Sequence, residues 1–150
     1  FLIFQEALNF VCLYLAREIL FDGEGATKFI TIKVKGAKDS DSAKEVARKI
    51  ANSVLFKTAI YGENPNWGRI VACCGASGVE IAPQKLDIRL GENFVFKKGS
   101  PTDVEPERLK ECLRKKEIEV EVNLNLGRKE YFLWTTDLSE EYVRINAGYE

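Results

Sequence analysis

Residues 22–28 read Asp-Gly-Glu-Gly-Ala-Thr-Lys and join the most apolar part of the chain to its first alternating segment. Glu24 stands between Gly23 and Gly25, and because glycine has no Cβ, another backbone or a ligand can approach this acid closely. The stretch is therefore a candidate for presenting one carboxylate at a buried junction. A second interpretation stays open, in which Gly23 merely follows a helix C-terminus and Glu24 forms a solvated ion pair with Lys28.

The segments on either side of this stretch have clear periodicities. Residues 2–20 are rich in apolar side chains at helical spacing, and these occur on most faces, so we predict a helix that is covered on most sides inside a larger body. Glu6, Arg17 and Glu18 interrupt the apolar run, which argues against a membrane span. Residues 29–35 alternate between apolar and polar side chains, as a strand does.

The next segments predict one long helix and a short strand. Residues 42–55 begin with a capping-box pattern, Ser42 with Glu45, and continue with apolar residues at helical spacing. We therefore predict a single helix that fades before Gly62. The apolar run Ile-Val-Ala-Cys-Cys at residues 70–74 predicts a short buried strand.

The second half of the chain predicts short elements joined by tight turns. Residues 85–90 and 93–96 are strand-like, and Pro106 is placed in the first turn of a helix. Residues 118–126 alternate without a fault, and the turn that follows is predicted to return the chain as a hairpin partner at residues 130–136. The mixed order of elements predicts an α+β fold of sheet and helix layers.

The composition narrows the possible chemistry. Basic residues number 22 and acidic residues 23, so the formal net charge of −1 creates no global field that would attract nucleic acid or anionic lipid. No histidine is present, which removes histidine-based triads and zinc sites from this chain, and we expect no metal. The four cysteines lack CxxC spacing and are interpreted as reduced core thiols of a cytosolic protein. Because the chain has no Met and begins at Phe1, we expect a processed or truncated piece.

Four motifs resemble one family. They are residues 22–28, residues 51–59 (Ala-Asn-Ser-Val-Leu-Phe-Lys-Thr-Ala), residues 64–70 (Asn-Pro-Asn-Trp-Gly-Arg-Ile) and residues 142–149 (Tyr-Val-Arg-Ile-Asn-Ala-Gly-Tyr). In order and spacing they resemble the C-terminal part of the β chain of ornithine acetyltransferase, the bifunctional glutamate N-acetyltransferase family of arginine biosynthesis. The resemblance extends over residues 7–149.

The resemblance implies a two-chain enzyme made by self-cleavage of one precursor, with a layered sheet-and-helix sandwich and a C-terminal α/β roll-like domain. The threonine freed at the start of the β chain would be the nucleophile, and it would lie upstream of Phe1. It takes the acetyl group of N2-acetyl-L-ornithine and passes it to L-glutamate, and some members also accept acetyl-CoA. Because the nucleophile's own α-amino group serves as base, neither histidine nor a cofactor is expected. We expect no catalytic residue in this chain and no acetyl transfer by it alone.

The resemblance also assigns roles to residues of this chain. By position, Glu24 matches the substrate-binding glutamate and Asn146 the substrate-binding asparagine. These types suit amino-acid substrates, because a carboxylate can hold an ammonium group and an amide can both donate and accept hydrogen bonds. Gly23 and Gly25 would shape the site by leaving room beside Glu24. A further binding Thr or Ser of the family would follow Glu150.

The implied organisation places residues 1–28 in a catalytic core whose remainder lies upstream. Residues 29–150 would form a C-terminal α+β domain whose tail, residues 142–150, returns to the active site. The implied partners are the α chain and the N-terminal part of the β chain, in a higher oligomer of αβ units in the cytoplasm, with no nucleic acid and no membrane. Two alternatives stay open: a related N-terminal-nucleophile amidase or aminopeptidase, and a non-catalytic amino-acid-sensing domain.

Overall fold

The structure is a computed structural model that describes residues 1–148. The helices are α1 (Leu2–Phe21), α2 (Ser40–Ala51), α3 (Val54–Tyr61), α4 (Trp67–Gly75), α5 (Pro106–Arg114) and α6 (Glu140–Ala147). The strands are β1 (Phe29–Ala37), β2 (Asp87–Leu90), β3 (Asn93–Lys97), β4 (Ser100–Pro101), β5 (Glu117–Asn123) and β6 (Lys129–Thr136), and a single 3-10 turn covers Pro83–Lys85. The predicted α+β class is confirmed.

The six strands form one mixed sheet in the order β4-β3-β2-β5-β1-β6. β1 pairs in parallel with β5, and the other neighbouring strands are antiparallel. Ile30, Ile32 and Val34 of β1 are fully buried, and α2 packs on β1 and β6. The opposite face of the sheet is partly exposed and carries cross-strand ion pairs, such as Lys33 with Glu119 at 2.6 Å. The period of two along β1 thus separates a core face from a solvated one.

The predicted hairpin between residues 118–126 and 130–136 is wrong, although both strands exist. β1 lies between β5 and β6, so the two strands that follow each other in sequence are not neighbours. The connection crosses the end of β1 instead, where the backbone N–H groups of Leu126 and Gly127 both donate to the Gly36 carbonyl. A fully buried strand needs partners on both edges, since its N–H and C=O groups have no access to water.

The predicted long helix is two helices. The α2 helix ends at Ala51, and Ser53 begins α3 by accepting a hydrogen bond from the Phe56 N–H at 3.2 Å. The break resets the helical phase, so Phe56 is buried whereas Val54 and Leu55, predicted to be apolar-face residues, are about 60% exposed. The start of α2 also differs from the prediction, because its N-cap is Asp39 rather than Ser42.

The predicted strand at residues 70–74 is wrong, because these residues belong to α4. This helix buries Ile70, Cys73 and Cys74, which lie on one side of it at helical spacing, and it packs against α2. A short apolar run does not distinguish a buried strand from a buried helix by periodicity alone. By contrast, α5 begins at Pro106 as predicted, because proline lacks the N–H that a first-turn position leaves unpaired anyway.

The predicted helix at residues 2–20 is confirmed as α1. None of its residues is buried against the rest of the described chain. Most of its large apolar side chains are exposed; Ile3, Phe10 and Ile19 are at least 70% exposed. Cys12 is exposed with them, so the prediction that all four cysteines are core thiols is wrong for this one. None of the helices within residues 1–148 combines the length and apolar character that a membrane crossing needs.

Candidate functional site

Residues 22–28 lie at one end of the sheet, between the end of α1 and the start of β1. Because β1 and β6 are antiparallel, the first residue of β1, Phe29, pairs with the last residue of β6, Thr136. The chain therefore leaves β6 directly beside this glycine-containing loop, and it continues through residues 137–139 into α6. The sheet topology brings together two segments that lie at opposite ends of the sequence.

Asp137 fixes the C-terminal half of the loop. It is 3% exposed, and its Oδ1 accepts hydrogen bonds from the backbone N–H groups of Thr27 at 2.9 Å and Lys28 at 3.0 Å. Its Oδ2 accepts a short hydrogen bond from the Thr27 hydroxyl. A buried carboxylate is stabilised only when such donors replace its lost water, so this loop and this acid depend on each other.

Lys28 does not form the ion pair with Glu24 that the second interpretation of the loop required. Its side chain is buried, and Nζ donates to the Leu113 carbonyl at 2.5 Å and to Glu63 Oε1 at 3.3 Å. The ammonium group thus faces the end of α5, where unpaired carbonyls favour a cation. Glu24 is therefore not paired with Lys28 and can interact with other groups.

Gly25 is the residue at which the loop meets α6. Its φ is +65°, and a Cβ built on it would overlap the backbone nitrogen of Tyr142 and lie 2.9 Å from the Tyr142 Cα. The Ser139 hydroxyl donates to the Gly25 carbonyl at 2.5 Å and accepts from the Tyr142 N–H at 3.1 Å, which also caps α6. Gly23 does not have the left-handed conformation expected after a helix; a Cβ there would lie 3.1 Å from the Leu20 carbonyl oxygen.

Glu24 and Asn146 are brought together by this packing. The Asn146 side-chain amide donates to Glu24 Oε2 at 3.2 Å, across 122 positions of sequence, and also to the Tyr142 carbonyl at 2.9 Å. Glu24 is exposed and Asn146 is half-buried. The last two residues of the predicted tail, Tyr149 and Glu150, lie outside the described residues. The pair places a carboxylate beside a side-chain amide at the sheet end.

A cavity of about 380 Å³ adjoins Glu24. It is bounded by the glycine-containing loop, the junction of α2 with α3, the end of β6 and the start of α6. Its lining includes Glu24, Asn52, Lys57, Asp137 and Tyr142. The volume and the mixture of acid, base and amide suit a small polar ligand.

Sequence reasoning missed three residues that build this site, namely Lys57, Asp137 and Ser139. Asp137 and Ser139 occur in what the sequence presents as an ordinary polar turn, and only the pairing of β1 with β6 reveals their partners. The motif at residues 64–70 lies outside this site. There Arg69 donates to the Leu55 carbonyl and to the Thr58 hydroxyl, which joins α4 to α3. Among residues 1–148, no group of His, Cys, Asp or Glu side chains is arranged to hold a metal ion.

The fold and the candidate site define an α+β protein with a small cavity lined by polar residues at one end of its sheet. The ArgJ family model matches residues 1–150. The arginine biosynthesis bifunctional protein ArgJ of Dehalococcoides mccartyi is 47% identical over 148 residues, which are 99% of this chain and 36% of that protein. The protein of the same name from Bacillus cereus is 47% identical over 146 residues, which are 97% of this chain and 36% of that protein.

A solved structure agrees with these relatives. The crystal structure of the arginine biosynthesis bifunctional protein argJ from Bacillus halodurans matches with a TM-score of 0.93 and 42% identity, and the match covers 97% of this chain and 69% of that chain. The chain therefore belongs to the ArgJ family, and the resemblance drawn from its motifs is confirmed. It spans 36% of the length of the two curated relatives.

Proposed function

We propose that this chain is part of an acetyltransferase that moves the acetyl group of N2-acetyl-L-ornithine to L-glutamate in arginine biosynthesis, with acetyl-CoA as an alternative donor. The nucleophile is a threonine outside these 150 residues. Family membership supports this function. The structural observation that carries it is the contact of Glu24 with Asn146 at the sheet end, because these two side chains are the ones the family resemblance assigns to the substrate.

The reaction proceeds in two balanced steps. In the first, the threonine oxygen attacks the acetyl carbonyl, the C–N bond of acetyl-ornithine breaks, and ornithine leaves with the proton on its amine. In the second, the neutral amine of glutamate attacks the acetyl carbon, the C–O bond to threonine breaks, N-acetyl-L-glutamate leaves, and the proton lost by the amine restores the threonine hydroxyl. Glu24 contributes by holding an ammonium group of the substrate, and Asn146 orients Glu24 through its amide N–H.

We also propose the partners of the chain. The α chain and the N-terminal part of the β chain of the same precursor would cover α1, and the αβ units would assemble into a higher oligomer. The apolar surface of α1 supports the first part, because no residue of this helix is buried against the described chain. Exposed apolar area of this kind marks a surface that another part of a protein covers. On this proposal residues 1–28 belong to the catalytic core.

Changing Glu24 to glutamine in the complete enzyme is expected to lower kcat/KM for N2-acetyl-L-ornithine by roughly 10- to 100-fold. A hydrogen bond to a charged group contributes about that factor, and the neutral amide loses the attraction for an ammonium group. The measurement is the transfer of the acetyl group to glutamate by the purified enzyme. Glu111→Gln, an exposed acid on α5, is the matched control and should change nothing.

The same assay separates the alternatives. Release of acetate to water without transfer to glutamate would indicate an amidase, and binding of acetyl-ornithine without turnover by the complete protein would indicate a sensor. Residues 1–150 alone should transfer no acetyl group. Turnover by this fragment would contradict the placement of the nucleophile outside it.

Thiol labelling is expected to report the cover on α1. In the isolated chain Cys12 is exposed and should react rapidly with an aromatic disulfide reagent at pH 8. Cys74 should stay unreactive, because burial raises the pKa of its thiol to about 12. In the complete enzyme Cys12 should become protected by at least about 10-fold in labelling rate if the other segments cover α1. Equal labelling rates in both proteins would contradict the proposed docking of α1.

A further inference from the structure

Lys57 is a positively charged residue that lines the cavity beside Glu24, and the proposed function assigns it no role. It lies on α3, its side chain is partly buried, and it lines the cavity together with Glu24, Asn52 and Tyr142. Within residues 1–148 its Nζ makes no hydrogen bond and no ion pair. Because the ammonium group is only partly shielded from water and has no acceptor in the described chain, it can still contact a ligand in the cavity.

The nearby acid Asp137 does not neutralise Lys57. Both oxygens of Asp137 already accept hydrogen bonds from Thr27 and Lys28, and no Asp137 oxygen lies within ion-pair distance of the Lys57 ammonium. Burial lowers the pKa of Lys57 and outweighs the opposing attraction of Asp137. The positive charge therefore stands at the cavity with its stabilisation incomplete, and a bound anionic group would supply the missing part.

Glu24 and Lys57 give the cavity two sides of opposite charge. The glycine-containing loop supplies the acid, and α3 supplies the base; the Leu138 N–H donates to the Lys57 carbonyl at 3.4 Å, which joins α3 to the segment after β6. A ligand that carries both an ammonium group and a carboxylate would satisfy both sides at once. Free amino acids have this chemistry, whereas acetyl-CoA or a simple anion would leave Glu24 facing like charge.

We propose that Lys57 binds the α-carboxylate of the amino-acid substrates while Glu24 holds an ammonium group. The inference rests on the proposed function, because the α-carboxylate is the group that the acetyl donor, N2-acetyl-L-ornithine, and the acetyl acceptor, L-glutamate, have in common. Lys57 is then a specificity-determining residue that selects amino acids with a free α-carboxylate. An analogue in which this carboxylate is an uncharged carboxamide should lose the benefit of Lys57.

The test compares two substrates in the complete enzyme, N2-acetyl-L-ornithine and its α-carboxamide. Lys57→Met, which removes the charge and keeps an unbranched side chain, should raise KM for the carboxylate substrate by roughly 10- to 100-fold, since a contact with a charged group contributes about that factor. The carboxamide should change by no more than about 2-fold, and Lys57→Arg should restore most of the binding. Lys49→Met, an exposed lysine at the end of α2, is the control.

An equal loss for carboxylate and carboxamide would overturn the inference, because Lys57 would then stabilise another part of the protein rather than the substrate. An unchanged KM for both substrates would overturn it as well. The proposed function fails separately, if wild-type enzyme transfers no acetyl group at all. In that case calorimetric titration with L-ornithine still decides the role of Lys57: weaker binding to Lys57→Met than to Lys49→Met supports it, and equal binding refutes it.

Discussion

Gly25→Ala in the complete enzyme is expected to reduce acetyl transfer by at least about 100-fold, the order of loss that a displacement of about 1 Å causes in a binding site. A Cβ at this position overlaps the backbone of Tyr142 at the start of α6, where nothing flexible can yield. The helix must therefore move away from the loop, which separates Glu24 from Asn146. The measurement is kcat/KM for acetyl-ornithine, together with the melting temperature.

Gly78→Ala provides the matched control for this experiment. Gly78 also has a left-handed φ, +76°, but a Cβ there meets nothing within 4 Å. Both alanines share the conformational cost, about 1–2 kcal/mol, whereas only the one at Gly25 has the overlap with α6. If the two variants lose activity to the same extent, backbone strain rather than the separation of the site would be the cause, and the prediction would be wrong.

Asp137→Ala is expected to destabilise the protein by roughly 1–3 kcal/mol, because the Lys28 N–H becomes a buried donor without an acceptor, which costs about that much. The substitution leaves the N–H groups of Thr27 and Lys28 and the hydroxyl of Thr27 without their acceptor. Urea unfolding measures the loss, and hydrogen–deuterium exchange across residues 26–29 localises it. Asp137→Asn should lose less, because its remaining oxygen can take the place of Oδ1.

Asp103→Ala is the control for the loss at Asp137. Asp103 is exposed and makes no hydrogen bond in the described chain, so its removal should change the free energy of unfolding by no more than about 0.5 kcal/mol. Faster exchange at residues 26–29 in Asp137→Ala but not in Asp103→Ala would identify the loop as the affected region. Unchanged exchange in both variants would contradict the assigned role of Asp137.

The sequence predicted the elements of this fold better than their arrangement. Strong periodicity predicted α1, β1 and β5 correctly, because an amphipathic or alternating pattern reflects a property of the element itself. The helix break at Ser53 and the helical state of residues 70–74 were missed, since both depend on packing that a short apolar run does not specify. The position of β1 between β5 and β6 was missed for the same reason.

The residues of the candidate site were likewise predicted only in part from the sequence. Glu24 and Asn146 were named from the family resemblance, and the structure places them 3.2 Å apart; their role toward a substrate stays a prediction. The physical reason for Gly25 became visible only through the backbone of Tyr142. Asp137 had no signal in the sequence, and Lys57 lies in the motif at residues 51–59 without being singled out there, because an acid in a turn and a lysine on a helix are usually solvated. Their importance comes from partners that are distant in sequence.

The central position of β1 has a consequence for the order of events during synthesis. At a translation rate of about 5–20 residues per second, β1 leaves the ribosome on the order of ten seconds before β5 and β6 can flank it. Until then both of its edges and its apolar residues, such as Ile30 and Ile32, lack their final neighbours. The nascent chain thus carries an aggregation-prone segment for this period. Glu24, which emerges earlier still, acquires Asn146 only after the more than one hundred residues between them have been synthesised.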